Sequence, residues 1–117
     1  MNKPLCMAFW YAWCGVAYSI RTQRNMKIHL LAAAVVLGAA LYFDIGGLEI
    51  AVLLLTIAGV ITAELFNTAI EALVDMVSPE YHPLAKAAKD VAAGAVLVQA
   101  AAAIGIGYVI FADKLFK

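Results

Sequence analysis

Three stretches of this chain are free of formal charge and long enough, or nearly so, to cross a lipid bilayer. Val91 to Ala112 is 22 residues without Asp, Glu, Lys or Arg. As a helix it rises about 33 Å, against a hydrocarbon core of about 30 Å. Ile28 to Phe43 is a second such run, of 16 residues with only His29 as a group that charges near neutral pH. Its rise of about 24 Å is slightly short, but Arg24 and Lys27 flank it and long basic side chains reach to the interface. Ile50 to Ala63 is the third, and it continues without a break toward Val77.

Composition agrees. Apolar residues make up 66% and charged residues 14% of the 117. Soluble domains are about 45–50% apolar and about 25% charged. The formal net charge is zero, so no basic surplus exists for nucleic acid, and no nucleic-acid partner is expected. Cys6 and Cys14 match neither a disulfide framework nor a zinc site and are expected to be inert packing residues. Residues 1–20 superficially resemble a secretory leader. Phe9, Trp10, Tyr11, Trp13 and Tyr18 argue against it, because such rings favour the membrane interface, so no cleaved signal is expected.

The elements follow. Residues 5–22 read as an amphipathic helix lying on the membrane surface, with Trp10 and Trp13 as anchors. Membrane-crossing helices are expected at about 27–43, 48–77 and 84–112 within a single domain. Asp44-Ile45-Gly46-Gly47 reads as a tight turn and Ser78–Pro83 as a polar loop. Gly94, Gly105 and Gly107 suggest close helix packing, Gln99 a bond to another helix, and His29 an interfacial residue. Six of the eight basic residues (Lys3, Arg21, Arg24, Lys27, Lys86, Lys89) fall on the side of the N-terminus and the second loop. The positive-inside rule puts that side in the cytoplasm, with Lys114 and Lys117 outside.

Chemistry concentrates on the second long helix. Glu64, Asn67, Glu71 and Asp75 are three, four and four residues apart and form one stripe at 100° per residue. Counted from Leu48, Glu64 lies about 24 Å along the axis, where lipid meets water. Ionisable groups at such depth are costly and usually face protein or a polar cavity. A second cluster follows: Glu80, Tyr81, His82, Lys86, Lys89 and Asp90. Lys86 and Asp90 are also spaced as an ordinary i,i+4 salt bridge, and His82 beside Pro83 suits a helix cap. Carboxylates that hold magnesium, an ammonium facing phosphate and a carboxylate that takes a hydroxyl proton are the parts of a phosphoryl-transfer site. No Walker loop occurs, so a soluble-type nucleotide fold is excluded.

The block Ala63-Glu-Leu-Phe-Asn-Thr-Ala-Ile-Glu-Ala-Leu-Val-Asp75, then Ser78-Pro-Glu-Tyr-His-Pro-Leu-Ala-Lys-Ala-Ala-Lys-Asp90, resembles the signature of the bacterial diacylglycerol kinase family. Arg24-Asn25-Met26-Lys27-Ile28-His29 resembles its undecaprenol kinase branch. The resemblance implies an all-α integral membrane protein, a homotrimeric bundle in which each protomer has a surface helix and three membrane helices and shares its active sites. It implies a bacterial inner-membrane enzyme that uses ATP and Mg2+ to phosphorylate a lipid alcohol, undecaprenol or alternatively diacylglycerol. Carried over, Glu64 is the general base, Asn67 its support, and Glu71 a magnesium ligand. Lys89 and Asp90 match the phosphate side of the nucleotide site, and Glu80, Tyr81 and His82 its adenosine loop. Tyr11 matches an aromatic residue near the nucleotide. Asp75 is placed to orient Lys89. The family pattern often carries a second acidic metal ligand just before the Arg-Asn pair, and here that place is Gln23, which can ligate magnesium but brings no charge. Two readings of other classes stand beside the kinase. A proton-coupled transporter would use Glu64 but leaves the loop cluster unexplained. A non-catalytic membrane subunit would fit the change at Gln23.

Overall fold

The computed structural model describes residues 4–116. Lys3 and Lys117, both counted in the charge asymmetry, lie outside them. The described chain is all-helical, in four helices: α1 Leu5–Thr22, α2 Arg24–Tyr42, α3 Gly47–Val77 and α4 Pro83–Leu115. Of these, α2, α3 and α4 are long and apolar enough to cross a membrane. α2 begins about three residues before the expected start, because Arg24 and Lys27 extend the helix into the basic flank. α4 likewise runs past Ala112 through Asp113 and Lys114. The absence of a charge marks where a helix is buried in lipid, not where it stops.

Each junction has a local cause. α1 and α2 are separated by one residue, Gln23, whose backbone is extended at φ −113°, ψ 115°. Its N–H still bonds to Ser19 O at 2.9 Å and closes α1. Between α2 and α3, the left-handed residue is Asp44, at φ 54°, while Gly46 and Gly47 keep ordinary negative φ. Asp is among the few residues that enter this region at modest cost. Ile45 N–H then returns to Ala40 O at 3.0 Å. At the α3–α4 loop His82 is the N-cap: its Nδ1 accepts Leu84 N–H at 3.1 Å, and Pro83 occupies the first helical position.

The bundle is a slab, 54 × 40 × 20 Å, about two helix diameters thick. Few residues are therefore fully enclosed. One apolar knot consists of Ala40, Ile45, Leu53 and Ile110, with Phe43 and Phe111 packed on it and meeting each other edge to face at 6.3 Å. It locks the end of the bundle beside the α2–α3 turn. At the other end Met26 and the polar Ser19, Glu64, Asn67 and Thr68 are buried. Leu31, Val35, Leu55 and Val98 are exposed along the spans, apolar surface of the kind that lipid or another helix covers.

Several expectations change. Cys6 and Cys14 do not pack in the protein but are exposed on α1, whose covered side is the one carrying Ser19. Gly94, Gly105 and Gly107 have nothing within 4 Å of where a Cβ would stand, because they face away from the other helices of the chain. Close approach occurs instead at Gly59, where a Cβ would lie 2.2 Å from Gln99 Nε2. Gln99 thus reaches another helix by lying across a glycine on α3.

Candidate active site

The acidic stripe of α3 meets a different partner at each turn. Deepest is Glu64, with no exposed surface. Its Oε1 accepts from Asn67 Nδ2 at 3.4 Å, a long bond one turn along the same helix. Its Oε2 has no hydrogen-bond partner among the described residues, and His29 Nε2 of α2 stands 3.6 Å away. Asn67 Oδ1 is buried and likewise unpaired. Two orphaned acceptors in one buried spot each carry a desolvation cost of about 1–3 kcal/mol unless a donor arrives. Both residues line a cavity of about 270 Å³ together with Asn25 and His29. Hydrogen-bond donors entering this cavity would satisfy both acceptors.

The backbone around this pair is tied down. Thr68 Oγ1 donates to Glu64 O at 2.8 Å. A threonine hydroxyl has one hydrogen, so in the buried 2.8 Å contact between Ser19 Oγ and Thr68 Oγ1 the serine donates. α1 is thereby bonded to the turn of α3 that carries Glu64.

One turn beyond Asn67, half-buried Glu71 receives Gln23 Nε2 at its Oε2, 2.9 Å away. One turn further, Asp75 pairs with Lys89 of α4. The stripe is therefore a ladder whose rungs reach α2 at His29, the α1–α2 junction at Gln23 and α4 at Lys89. From Glu64 to Asp75 it climbs eleven residues, about 16 Å.

Above the ladder, Asp75, Glu80, Tyr81, His82, Lys86 and Lys89 surround an open cavity of about 320 Å³. Most of the second cluster is thus brought together in space, mixing an ammonium pair with a ring and carboxylates. Asp90 stands apart from this lining and pairs with Lys86 at 2.5 Å, both largely exposed. Tyr11 is exposed on α1 and does not line the loop cavity.

No group of three His, Cys, Asp or Glu side chains among the described residues is arranged to hold a metal by itself. A magnesium ion shared with a phosphate chain asks for less. It keeps several waters and takes one or two carboxylates in addition to phosphate oxygens. Glu71 fits that demand with the carboxylate oxygen that Gln23 leaves open, and Gln23 can turn its amide to offer Oε1. The pair suits such a shared ion and does not form a protein-only cage.

Sequence reading missed His29 as a neighbour of Glu64. The signal was present in its place within Arg24–His29, but which side of α2 faces α3 depends on packing. Asn25, lining the same cavity, was missed for the same reason.

Comparison with known proteins follows the same outline. The family model described as prokaryotic diacylglycerol kinase matches residues 10–111. The chain is 48% identical over 104 residues to a protein of Synechocystis named diacylglycerol kinase, covering 88% of this chain and 59% of that protein. It is 44% identical over 108 residues to a Bacillus subtilis protein named undecaprenol kinase, covering 92% of this chain and 88% of that one. To the Escherichia coli protein named diacylglycerol kinase it is 30% identical over 88 residues, with 75% and 72% covered. The chain thus spans about three fifths of the Synechocystis relative and most of the other two.

Proposed function

The chain belongs to the prokaryotic diacylglycerol kinase family, and on that premise we propose that it is a lipid kinase, passing the γ-phosphate of ATP to the hydroxyl of a membrane lipid. The observation that carries this is Glu64: fully buried, with Oε2 unbonded, at a cavity where a span leaves the lipid. A hydroxyl entering there donates to Glu64 Oε2, and Asn67 Oδ1 offers a second acceptor that steers it. Glu64 takes the proton as the hydroxyl oxygen attacks the γ-phosphorus, and ADP leaves from the far side.

Lys89 and the loop Glu80–His82 receive the nucleotide in this proposal, with its triphosphate lying along the ladder toward Glu64. Asp75 orients Lys89, and Asp90, through Lys86, shapes the entrance. Tyr11 meets the nucleotide from α1. Glu71 and Gln23 would hold Mg2+, which would neutralise phosphate charge. Little covalent work remains for the protein: it aligns an oxygen with a phosphorus and keeps the acceptor site dry.

The preferred acceptor is undecaprenol, giving undecaprenyl phosphate. The 88% coverage of the relative carrying that name supports it, as does the Arg24–His29 block. Diacylglycerol is the alternative. The wider proposal has three copies packing about their spans and sharing sites between neighbours. α1 lies on the cytoplasmic surface of the inner membrane, and the residues described form one kinase domain.

The test is Glu64→Gln, purified in detergent and assayed with undecaprenol, diacylglycerol and labelled ATP. The glutamine keeps the shape and cannot take a proton. Turnover is expected to fall by a factor on the order of 10² or more while helicity is unchanged. Near-normal turnover would remove Glu64 from the role of base.

A further inference from the structure

Each turnover of the proposed reaction leaves a proton behind. The alcohol O–H bond breaks as the O–P bond forms. The bond from the γ-phosphorus to ADP breaks, and its electron pair leaves with ADP. The proton lands on Glu64 Oε2. A neutral alcohol has then become a phosphate monoester, and one proton per cycle must reach water. Until it departs, Glu64 cannot serve as a base again. Yet Glu64 has no exposed surface of its own through which to lose it.

The cavity beside Glu64 offers few ways out. Asn67 and Asn25 carry amides, which neither gain nor lose a proton near neutral pH. α4 contributes Ala93, Val96, Leu97 and Ala100, and none of these titrates. Besides Glu64, His29 is the one titratable side chain in the lining. Its Nε2 stands 3.6 Å from Glu64 Oε2. That is longer than a hydrogen bond, but of the kind that closes when a site fills. A carboxylate oxygen has two lone pairs, so Oε2 can meet a hydroxyl on one and the imidazole on the other. The His29 side chain keeps 19% of its surface exposed where Glu64 keeps none. It thus bridges the enclosed acid and the open part of a cavity of about 270 Å³. Such a space admits several waters at about 30 Å³ each.

On the kinase reading above, we propose that His29 is the relay that resets Glu64 after each transfer. The neutral imidazole takes the proton from Glu64 Oε2 at Nε2. It gives up the proton on Nδ1 to water, and exchange with water restores the starting tautomer. Imidazole suits this task because its two nitrogens accept and donate near neutral pH. His29 acts through Glu64 and holds neither the phosphate chain nor the nucleotide.

The test is rapid-quench kinetics on the full purified chain with labelled ATP and undecaprenol, or diacylglycerol where that is the substrate. His29→Gln keeps an amide that can donate to Glu64 but cannot carry a proton. Its first turnover is expected near the wild-type rate, while the steady-state rate falls roughly tenfold or more. KM for ATP should not move. In His29→Ala, imidazole added to the buffer should restore steady-state turnover, and the same ionic strength without a base should not. Either variant decides the matter if the other fails to fold. An equal loss of first and later turnovers would make His29 a structural neighbour and overturn the relay. An unchanged steady-state rate, or no response to imidazole, would overturn it too. Should the wild-type chain phosphorylate no lipid alcohol, the kinase reading itself falls; active wild type beside an undiminished His29→Gln strikes the relay alone.

Discussion

Gln23 reaches Glu71 with an amide N–H, so this rung of the ladder closes without a cation. Two carboxylates in the same positions would repel, and only a bound ion would hold them together. Gln23→Glu is therefore expected to lower the melting temperature in EDTA and to restore it with Mg2+. Affinity for Mn2+, read by electron paramagnetic resonance, should rise about tenfold or more for the added charge. Unchanged metal affinity would show that residue 23 does not face the ion. At this scale the sequence was informative where spacing alone decides. Glu64, Asn67, Glu71 and Asp75 had to share a face of any helix that contains them. It was silent where two helices must meet: His29 with Glu64, or Gln23 with Glu71, 48 residues apart. The orphaned oxygens of Glu64 and Asn67 are likewise a product of packing, invisible until the neighbours are in place.

α1 packs against α3, and the buried Ser19–Thr68 hydrogen bond is one polar tie between them. Because Thr68 keeps its own donation to Glu64 O, removing the serine hydroxyl leaves no stranded donor. Ser19→Ala should thus cost only about 1 kcal/mol of stability, seen as a lower thermal midpoint in detergent. Amide exchange should rise in α1 more than in α3 or α4. Uniform exchange across all helices would mean that α1 is held by its apolar contacts instead. The helices themselves were legible, since charge-free runs of this length leave the backbone little else to do. Their junctions were legible only in part. The turn after α2 was marked by Gly46 and Gly47, yet the left-handed residue is Asp44. The glycine that allows close approach is Gly59, because Gln99 happens to lie across it, while glycines elsewhere on α4 face outward.

As a whole the molecule is a thin slab with the acidic ladder and the buried polar groups Ser19, Glu64, Asn67 and Thr68 toward one end and an apolar knot at the other. The proposed topology, which follows the basic asymmetry, has the chemical end in the cytoplasm. In a variant with Cys6 and Cys14 replaced by serine, a cysteine at Gly46 should react with a membrane-impermeant maleimide from outside. One at Ser78 should react only after permeabilisation, and the reverse pattern would invert the topology. The slab's two ends were foreseeable from charge; its thinness was not, since it depends on how few contacts the helices make within one chain. The ladder along α3 also sets a ruler against the host membrane. In the proposed reaction Glu64 is fixed in height by the protein, whereas the acceptor's hydroxyl floats at the height of the surrounding headgroups. A bilayer too thick or too thin lifts or sinks one relative to the other, at a cost of fractions of a kcal/mol per ångström. Turnover in vesicles of graded acyl length should therefore pass through a maximum, and a flat response would mean that the acceptor is drawn to the acid whatever the depth of its surroundings.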